Sequence, residues 1–275
     1  MKKALISVVV GLTGLSSSAF AAPGIYTQNF DNHGNSISFG DGSIVRAGNA
    51  ATTVGGWAGG NNALRLTGDT VANQNASYFL PSLAPAGKIE SFSASFKLLF
   101  KSDNTPADAF SFNFGTFKTT ASSYGSDQGM YDSSGVKTGS MLSVVWDTYS
   151  NGGTDPISIE LLLNGSRLGN NTAVLPFVPK DFSSNNYRDV TINWANNLVN
   201  VTYGGAAVFS NVSTGSFVPT IGDSFAFNAQ TGGSMQDAFI DNVSVTAVPE
   251  PSTFAAIAGA AMLGMAVCQR RRRAA

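Results

Sequence analysis

Cysteine, histidine and charged residues are all scarce in this 275-residue chain. Its single cysteine, Cys268, can form no disulfide within the chain, so burial of apolar side chains must stabilise the fold. Its single histidine, His33, has no second histidine with which to complete a familiar zinc site. Charged residues make up only 12% of the chain and the formal net charge is −1, which argues against nucleic acid as a partner.

Glutamate is also rare, which argues against a glycoside hydrolase. Such enzymes use paired carboxylates about 5–9.5 Å apart on either side of the bond that is broken. The three glutamates, Glu90, Glu160 and Glu250, are far apart in the sequence, and no E-x-D-x-x-E run is present. The chain also lacks the G-x-S-x-G elbow of a serine nucleophile. Aspartate pairs remain, but we predict that the protein is not an enzyme.

Both ends of the chain have the composition of targeting segments. Met1–Ala21 begins with two lysines, continues with an apolar run and ends in Ala-Phe-Ala, which predicts a secretory signal peptide. Residues 248–275 contain Val-Pro-Glu-Pro-Ser, then the 15 apolar residues Phe254–Cys268, then Arg270–Arg273. An apolar stretch before arginines is typical of a short transmembrane helix, although about 20 residues are the usual span. An ordinary tail anchor is one interpretation.

The order of these C-terminal features is very similar to the PEP-CTERM sorting signal. The resemblance implies export by a Gram-negative cell and removal of the tail by a membrane protease, an exosortase, near Pro249, Glu250 and Pro251. The inner membrane would then hold the chain only transiently, before release to the periplasm, the cell surface or the medium. Proteins with this signal are commonly associated with exopolysaccharide and biofilm production.

Residues 22–247 alternate between apolar and polar side chains in short runs. Turn signals recur about every 10 residues, and helical periodicity is nearly absent. Phe110, Phe112 and Phe114 form an apolar stripe that we assign to the core, and Asn164-Gly165 predicts a β-hairpin. The sequence therefore predicts one all-β domain, an antiparallel two-sheet β-sandwich, with no internal linker. The predicted strands are Ile25–Phe30, Ala63–Thr67, Ala76–Phe79, Ile89–Phe100, Ala109–Phe117, Leu142–Trp146, Ile157–Leu163, Arg188–Trp194, Leu198–Tyr203, Ala206–Phe209, Ser224–Asn228 and Ala238–Val245.

A candidate metal-binding loop follows the strand that ends at Trp146. Asp147, Asn151 and Asp155 place side-chain oxygens four residues apart, with two glycines between the last two. Calcium binds about six to eight such oxygens, and glycine allows a loop to bring them together. A polar turn would use the same residue types, so the spacing alone leaves both interpretations open.

Residues 146–156 resemble the metal loop of the L-type (legume-type, concanavalin A-like) lectins. In that family a strand is followed by aspartate-threonine, asparagine and aspartate-proline, in the order found in this chain. The resemblance implies that Asp147, Asn151 and Asp155 bind one calcium through their side chains and that Tyr149 binds it through its carbonyl. The family's concanavalin A-like jelly roll is the sandwich that we expect.

Two departures from the family pattern concern the second metal. Val145 replaces a glutamate, and Ser158 aligns with a histidine. Since those two family residues hold the transition metal, we expect no manganese site.

Asp108 is the first candidate for sugar recognition. The run Ala107–Phe112 resembles the family motif A-D-G-F-x-F, whose aspartate accepts hydrogen bonds from two sugar hydroxyls. An ionised carboxylate suits that role because it only accepts hydrogen bonds. Without the resemblance, a turn before a strand is the favoured interpretation of Asp108.

Two further segments resemble sugar-contacting loops of the same family. Residues 125–134 resemble a glycine-rich loop in which a backbone N–H contacts sugar, and residues 224–232 resemble the final strand and its specificity loop. The additional carbohydrate-binding residues implied by the resemblance are Ser126, Asn151, Thr231, Gly232 and Gly233.

Our first hypothesis is an exported, calcium-dependent carbohydrate-binding protein linked to exopolysaccharide or biofilm matrix. The second is a structural or matrix protein with the same fold and no sugar site. A glycoside hydrolase is the least favoured interpretation.

Overall fold

The computed structural model describes residues 22–31, 33, 36–47, 53–56, 62–102, 106–117, 130, 141–152, 155–172, 187–215, 217–250, 262–267 and 269–271. The residues from Ala22 to Glu250 form one compact unit, and the segments on either side of it are grouped in a second unit. The predicted signal peptide lies outside the described residues.

The described residues between Ala22 and Glu250 form fifteen strands in two antiparallel sheets, which confirms the predicted all-β sandwich. The strands are β1 (Gly24–Gln28), β2 (Ile44–Ala47), β3 (Thr53–Gly56), β4 (Asn62–Thr67), β5 (Asn75–Phe79), β6 (Ile89–Lys101), β7 (Ala109–Gly115), β8 (Met141–Asp147), β9 (Ser158–Leu163), β10 (Ser166–Asn171), β11 (Arg188–Ala195), β12 (Leu198–Tyr203), β13 (Ala206–Ser213), β14 (Ser224–Gln230) and β15 (Asp237–Pro249).

The two sheets differ in strand order. The eight-stranded sheet runs β13-β12-β11-β6-β15-β4-β3, and β1 pairs with the later part of β15. The seven-stranded sheet runs β10-β9-β8-β7-β14-β5-β2. β7 therefore lies between β8 and β14, which places the ends of these three strands side by side.

Phenylalanine side chains fill the space between the sheets. The predicted stripe of Phe110, Phe112 and Phe114 on β7 is fully buried, which confirms its assignment to the core. These rings contact Phe92 and Phe96 on β6, with ring centroids 5.0 Å apart for Phe92 and Phe114. Edge-to-face and offset contacts of this kind add to the stabilisation that burial provides.

The seven-stranded sheet is buried on both faces at its centre, since all seven positions of β7 and of β8 are buried. On the face away from the phenylalanine core, small polar side chains bond to one another. Asn113 donates to Ser111 (2.8 Å) and accepts from Ser143 (2.7 Å), so these side chains are buried without losing their hydrogen bonds. β7 and β8 are therefore packed on both faces, against the phenylalanine core on one and within this layer of hydrogen-bonded polar side chains on the other.

Some strand boundaries differ from the predicted ones. β15 extends to Pro249, past the predicted Val245, because it pairs with β6 over nearly its whole length. The predicted strands do not include β2, β3 or β10. β10 has no buried position, so it lacks the alternation that indicates most of the other strands.

Residues 262–267 and 269–271, beyond the sandwich, are helical and exposed. No helix in the part of the chain that the structure describes is long and apolar enough to cross a membrane.

Candidate functional site

Three of the predicted segments meet at one end of the seven-stranded sheet. Asp108 immediately precedes β7, Asp147 is the last residue of β8, and Thr231 immediately follows β14. Ala109 pairs with Asp147 on one side and with Gln230 on the other. The register of the sheet therefore brings together residues that are far apart in the sequence.

The backbone of Asp108 is tied to both neighbouring strands. Its N–H donates to the carbonyl of Gln230 (2.9 Å), and its own carbonyl accepts from both the N–H and the hydroxyl of Thr148 (2.9 Å each). Thr148 is fully buried, and the peptide bond between Ala107 and Asp108 is cis. The three hydrogen bonds to Gln230 and Thr148 fix Asp108 directly beside the candidate metal loop.

The side chain of Asp108 lies against the loop that follows β14. A Cβ atom at Gly232 would lie 2.7 Å from Oδ2 and 3.0 Å from Oδ1 of Asp108, so any larger residue there would displace the carboxylate. A Cβ at Gly233 would meet nothing within 4 Å. The structure thus brings Asp108 and Gly232 together.

A turn before β5 supports this loop, and sequence patterns do not reveal it. The N–H of Gln74 donates to the hydroxyl of Thr231 (3.0 Å), and the N–H of Thr231 donates back to the carbonyl of Gln74 (2.9 Å). The N–H of Asn73 donates to the carbonyl of Gly232 (2.9 Å). Thr231 is buried, so its side chain holds the loop in place. Nothing in the residue pattern distinguishes Gln74 from other polar turn residues.

The candidate metal loop folds back on itself after β8. Asp147 is buried, and its Oδ1 accepts from the N–H of Tyr149 (3.1 Å). The N–H of Asp155 donates to the carbonyl of Gly152 (3.2 Å), and Gly152 has the left-handed φ of 87° that favours glycine. Asn151 is exposed, and its Nδ2 donates to Oδ2 of Asp155 (2.9 Å).

This fold of the loop creates an acidic cluster of Asp147, Asp155 and Glu160. Carboxylate oxygens of these three residues all lie within 4.8 Å of one another. Glu160 is not among the predicted site residues. It lies on β9 and pairs with Val145, the position at which the lectin motif has its own glutamate. Knowledge of the β8–β9 register would have revealed it.

Glu160 is an almost fully buried carboxyl that contacts Arg167 and Ser158. Burial raises its pKa, while the charge of Arg167 and the hydroxyl of Ser158, which donates at 3.0 Å, lower it in part. Nη2 of Arg167 contacts Oε1 of Glu160 and lies 3.4 Å from Oδ1 of Asp155. One guanidinium therefore bridges two members of the acidic cluster.

The residues of the loop fit a hard cation. Carboxylates, an amide and a backbone carbonyl are the oxygen donors that calcium prefers, and Asp147 and Asp155 already converge. Asn151 would have to turn its amide so that the oxygen faces the ion, since its nitrogen now faces Asp155. Tyr149 is held next to Asp147 by the backbone bond described above.

Two of the predicted site residues, Ser126 and Pro251, lie outside the described residues. Pro249 is buried at the end of β15, and the N–H of Glu250 donates to the carbonyl of Lys88 (2.8 Å). Pro249 and Glu250 are therefore attached to the eight-stranded sheet, whereas the acidic cluster belongs to the seven-stranded sheet.

Comparison with known proteins gives a family match for the tail and a fold for the sandwich. Residues 247–273 match the PEP-CTERM protein-sorting motif. This motif indicates an exported protein with a C-terminal sorting signal. No curated protein sequence matches the chain.

The solved structures that resemble the chain include legume lectins. A lectin from Bauhinia forficata, in complex with GalNAc, is 18% identical, with a TM-score of 0.57 over 82% of this chain and 99% of that chain. Peanut lectin, with a nine-residue peptide, is 19% identical, with a TM-score of 0.60 over 83% of this chain and 98% of that chain.

A third similar structure is the exoplasmic/lumenal domain of VIP36 in its Ca²⁺- and Man3GlcNAc-bound form. It is 14% identical, with a TM-score of 0.51 over 76% of this chain and 90% of that chain. Identities this low establish the fold alone. The chain therefore joins a β-sandwich with the legume-lectin fold to a C-terminal PEP-CTERM sorting motif.

Proposed function

We propose that this protein is an exported carbohydrate-binding protein whose sugar site lies where Asp108 meets Gly232. The observation that carries the proposal is the convergence of Asp108, the loop after β14 and the loop after β8 at one sheet end. The Bauhinia forficata lectin and the VIP36 domain, which share this fold, are both in complex with saccharides.

The carboxylate of Asp108 would accept hydrogen bonds from two neighbouring sugar hydroxyls. An acceptor that is already fixed by its backbone loses little entropy on binding, which favours affinity. Gly233 faces open space where a side chain would lie, so its backbone is open to a ligand beside the carboxylate. Asn151 and, outside the described residues, Ser126 would complete the set of polar contacts.

A single calcium ion would hold the loop after β8 in its binding conformation. Asp147, Asn151 and Asp155 would bind it through their side chains, and Tyr149 through its carbonyl. The ion would supply a fixed positive charge that orients these oxygens. Because Thr148 holds the carbonyl of Asp108, an ordered loop would also order Asp108.

We propose no catalytic role for the protein. Glu90 is exposed on β6 of the eight-stranded sheet, whereas Glu160 lies on β9 of the other sheet and is paired with Arg167. The two are not placed as a hydrolytic pair. A neutral, hydroxyl-rich exopolysaccharide of the cell surface or biofilm matrix is the ligand class that we favour, with processing of the tail by an exosortase.

Retention on polysaccharide beads tests this proposal. The protein is expected to bind in calcium and to elute with a chelator. Asp108→Ala is expected to abolish retention without a change in melting temperature, and Asp189→Ala, an exposed aspartate on β11, serves as the matched control. Unchanged retention of the Asp108 variant would remove this residue from the site. A protein that binds no glycan in any condition would instead be a structural or matrix protein.

A further inference from the structure

Glu160 supplies a carboxylate beside Val145, the position at which the lectin motif has a glutamate. Val145 and Glu160 are directly paired on β8 and β9, and Asp147 is paired with Ser158 in the same ladder. Paired residues of an antiparallel ladder project from the same face of the sheet. Glu160 therefore extends alongside Val145 and toward Asp147, and its carboxylate joins those of Asp147 and Asp155.

Three carboxylates in so small a volume repel one another. The side chain of Glu160 is only 2% exposed, and Asp147 is 1% exposed, so water screens them poorly. A buried carboxylate needs a positive partner close by to remain ionised. Among the described residues, the cation that reaches this cluster is Arg167.

Arg167 is positioned by the hairpin that joins β9 and β10. Asn164 and Gly165 form the turn, and Arg167 pairs with Leu162 on β9. From there its guanidinium contacts Glu160 and lies 3.4 Å from Asp155. A guanidinium presents several N–H donors in a plane, so it can bind two carboxylates at once.

We propose that Arg167 is a built-in cation that takes the place of a second metal ion in the acidic cluster. It neutralises Glu160, positions Asp155 for calcium, and limits the cluster to one divalent ion. This inference rests on the proposed calcium site. It assigns a positioning role to Arg167, which contacts neither the sugar nor the calcium ion itself.

The proposal predicts a change in metal stoichiometry when the charge is removed. Arg167→Met removes the cation that contacts Glu160 and Asp155, and the cluster is expected to recruit a divalent ion in its place. The variant should have a lower melting temperature without metal, and Mn²⁺ should restore it. The affinity for Mn²⁺ should rise about tenfold or more over that of the wild type, as expected for close charge pairs.

The experiment compares melting temperature and metal stoichiometry in Ca²⁺, in Mn²⁺ and in chelator for the purified protein and its variants. Lys97→Met removes an equal charge from an exposed pair with Asp189, and should leave the Mn²⁺ response unchanged. Glu160→Gln combined with Arg167→Met should abolish the gain of Mn²⁺ binding. Arg167→Lys should retain the wild-type stoichiometry because it keeps the charge.

Each outcome decides between the alternatives. The role of Arg167 is overturned if the Arg167→Met variant binds no more Mn²⁺ than the wild type does. It is also overturned if the wild-type protein binds two ions. Arg167→Gln provides the same comparison if the methionine variant does not fold. A wild type that binds no calcium while Arg167→Met gains Mn²⁺ would refute the calcium loop and support the role of Arg167.

Discussion

At the scale of single residues, the position of the Asp108 carboxylate depends on the absence of a side chain at Gly232. The candidate site depends on close approach between a carboxylate and the backbone at Gly232, and the position has no room for a side chain. Gly233, its neighbour, faces open space. The two glycines therefore differ in the space around them, although they look alike in the sequence.

Gly232→Ala is expected to abolish glycan binding. The added methyl group would lie 2.7 Å from Oδ2 of Asp108 and would push the carboxylate out of place. Gly233→Ala should bind glycan as the wild type does. Calorimetry with the glycan, together with thermal melts, measures both effects. Equal binding by the two variants would show that the position of Asp108 is unimportant.

Asp237 should make stability depend on pH. It is almost fully buried at the start of β15, and burial, with the charge of Asp69, raises its pKa to about 6 in spite of the ion pair with Arg65. The folded protein thus holds this proton more tightly than the unfolded chain does. The free energy of unfolding is therefore expected to fall as pH rises from about 4 to about 6, by on the order of 2 kcal/mol.

Asp237→Asn is the variant that isolates this contribution. Asparagine has the same shape and no charge, so the decline in stability over that pH window should disappear. Urea unfolding at several pH values measures it. A decline of the same size in wild type and variant would assign the pH dependence to another group.

At the scale of strands and hairpins, the turn between β9 and β10 fixes the position of Arg167. Asn164 and Gly165 both have left-handed φ values, 52° and 68°. The side-chain oxygen of Asn164 accepts from the N–H of Met141 (2.8 Å), which attaches the turn to β8. The Asn-Gly pair therefore sets both the register of the hairpin and its place in the sheet.

Asn164→Ala is expected to lower the free energy of unfolding by about 1–3 kcal/mol, because alanine adopts left-handed φ poorly and the bond to Met141 is lost. Asn164→Gly loses the bond but not the backbone freedom, so it should be less destabilising. Urea denaturation of the two variants provides the comparison. A glycine variant as unstable as the alanine variant would show that φ contributes nothing at this turn.

Local patterns predict most of the strands and the core, because burial on one face leaves a period of two in the sequence. The same patterns place Asp108 and Asp147 at strand ends, and the structure brings both to one edge of the sheet. Pairing between distant strands cannot be deduced from such patterns. The register between neighbouring strands is not fixed by these patterns either, and Glu160 joins the cluster only through the β8–β9 register. Gln74 supports Thr231 across 157 positions of sequence.

At the scale of the whole molecule, the sandwich and the sorting motif share a boundary. β15 runs to Pro249, and Glu250 still bonds to Lys88, so the fold continues into residues 247–273 that match the motif. The sandwich has no cysteine, and its stability comes from the aromatic core. We propose that one calcium ion adds to that stability at the end of the sheet that carries the sugar site.

Calorimetric titration of calcium into the metal-free protein tests the proposed calcium-dependent site most directly. We expect one ion per chain, a higher melting temperature in calcium through linkage, and loss of both effects in Asp147→Ala. Absence of binding at millimolar calcium, or unchanged binding in Asp147→Ala, would contradict the proposal. The loop after β8 would then be a polar turn, and the sugar-binding proposal would lose its principal support.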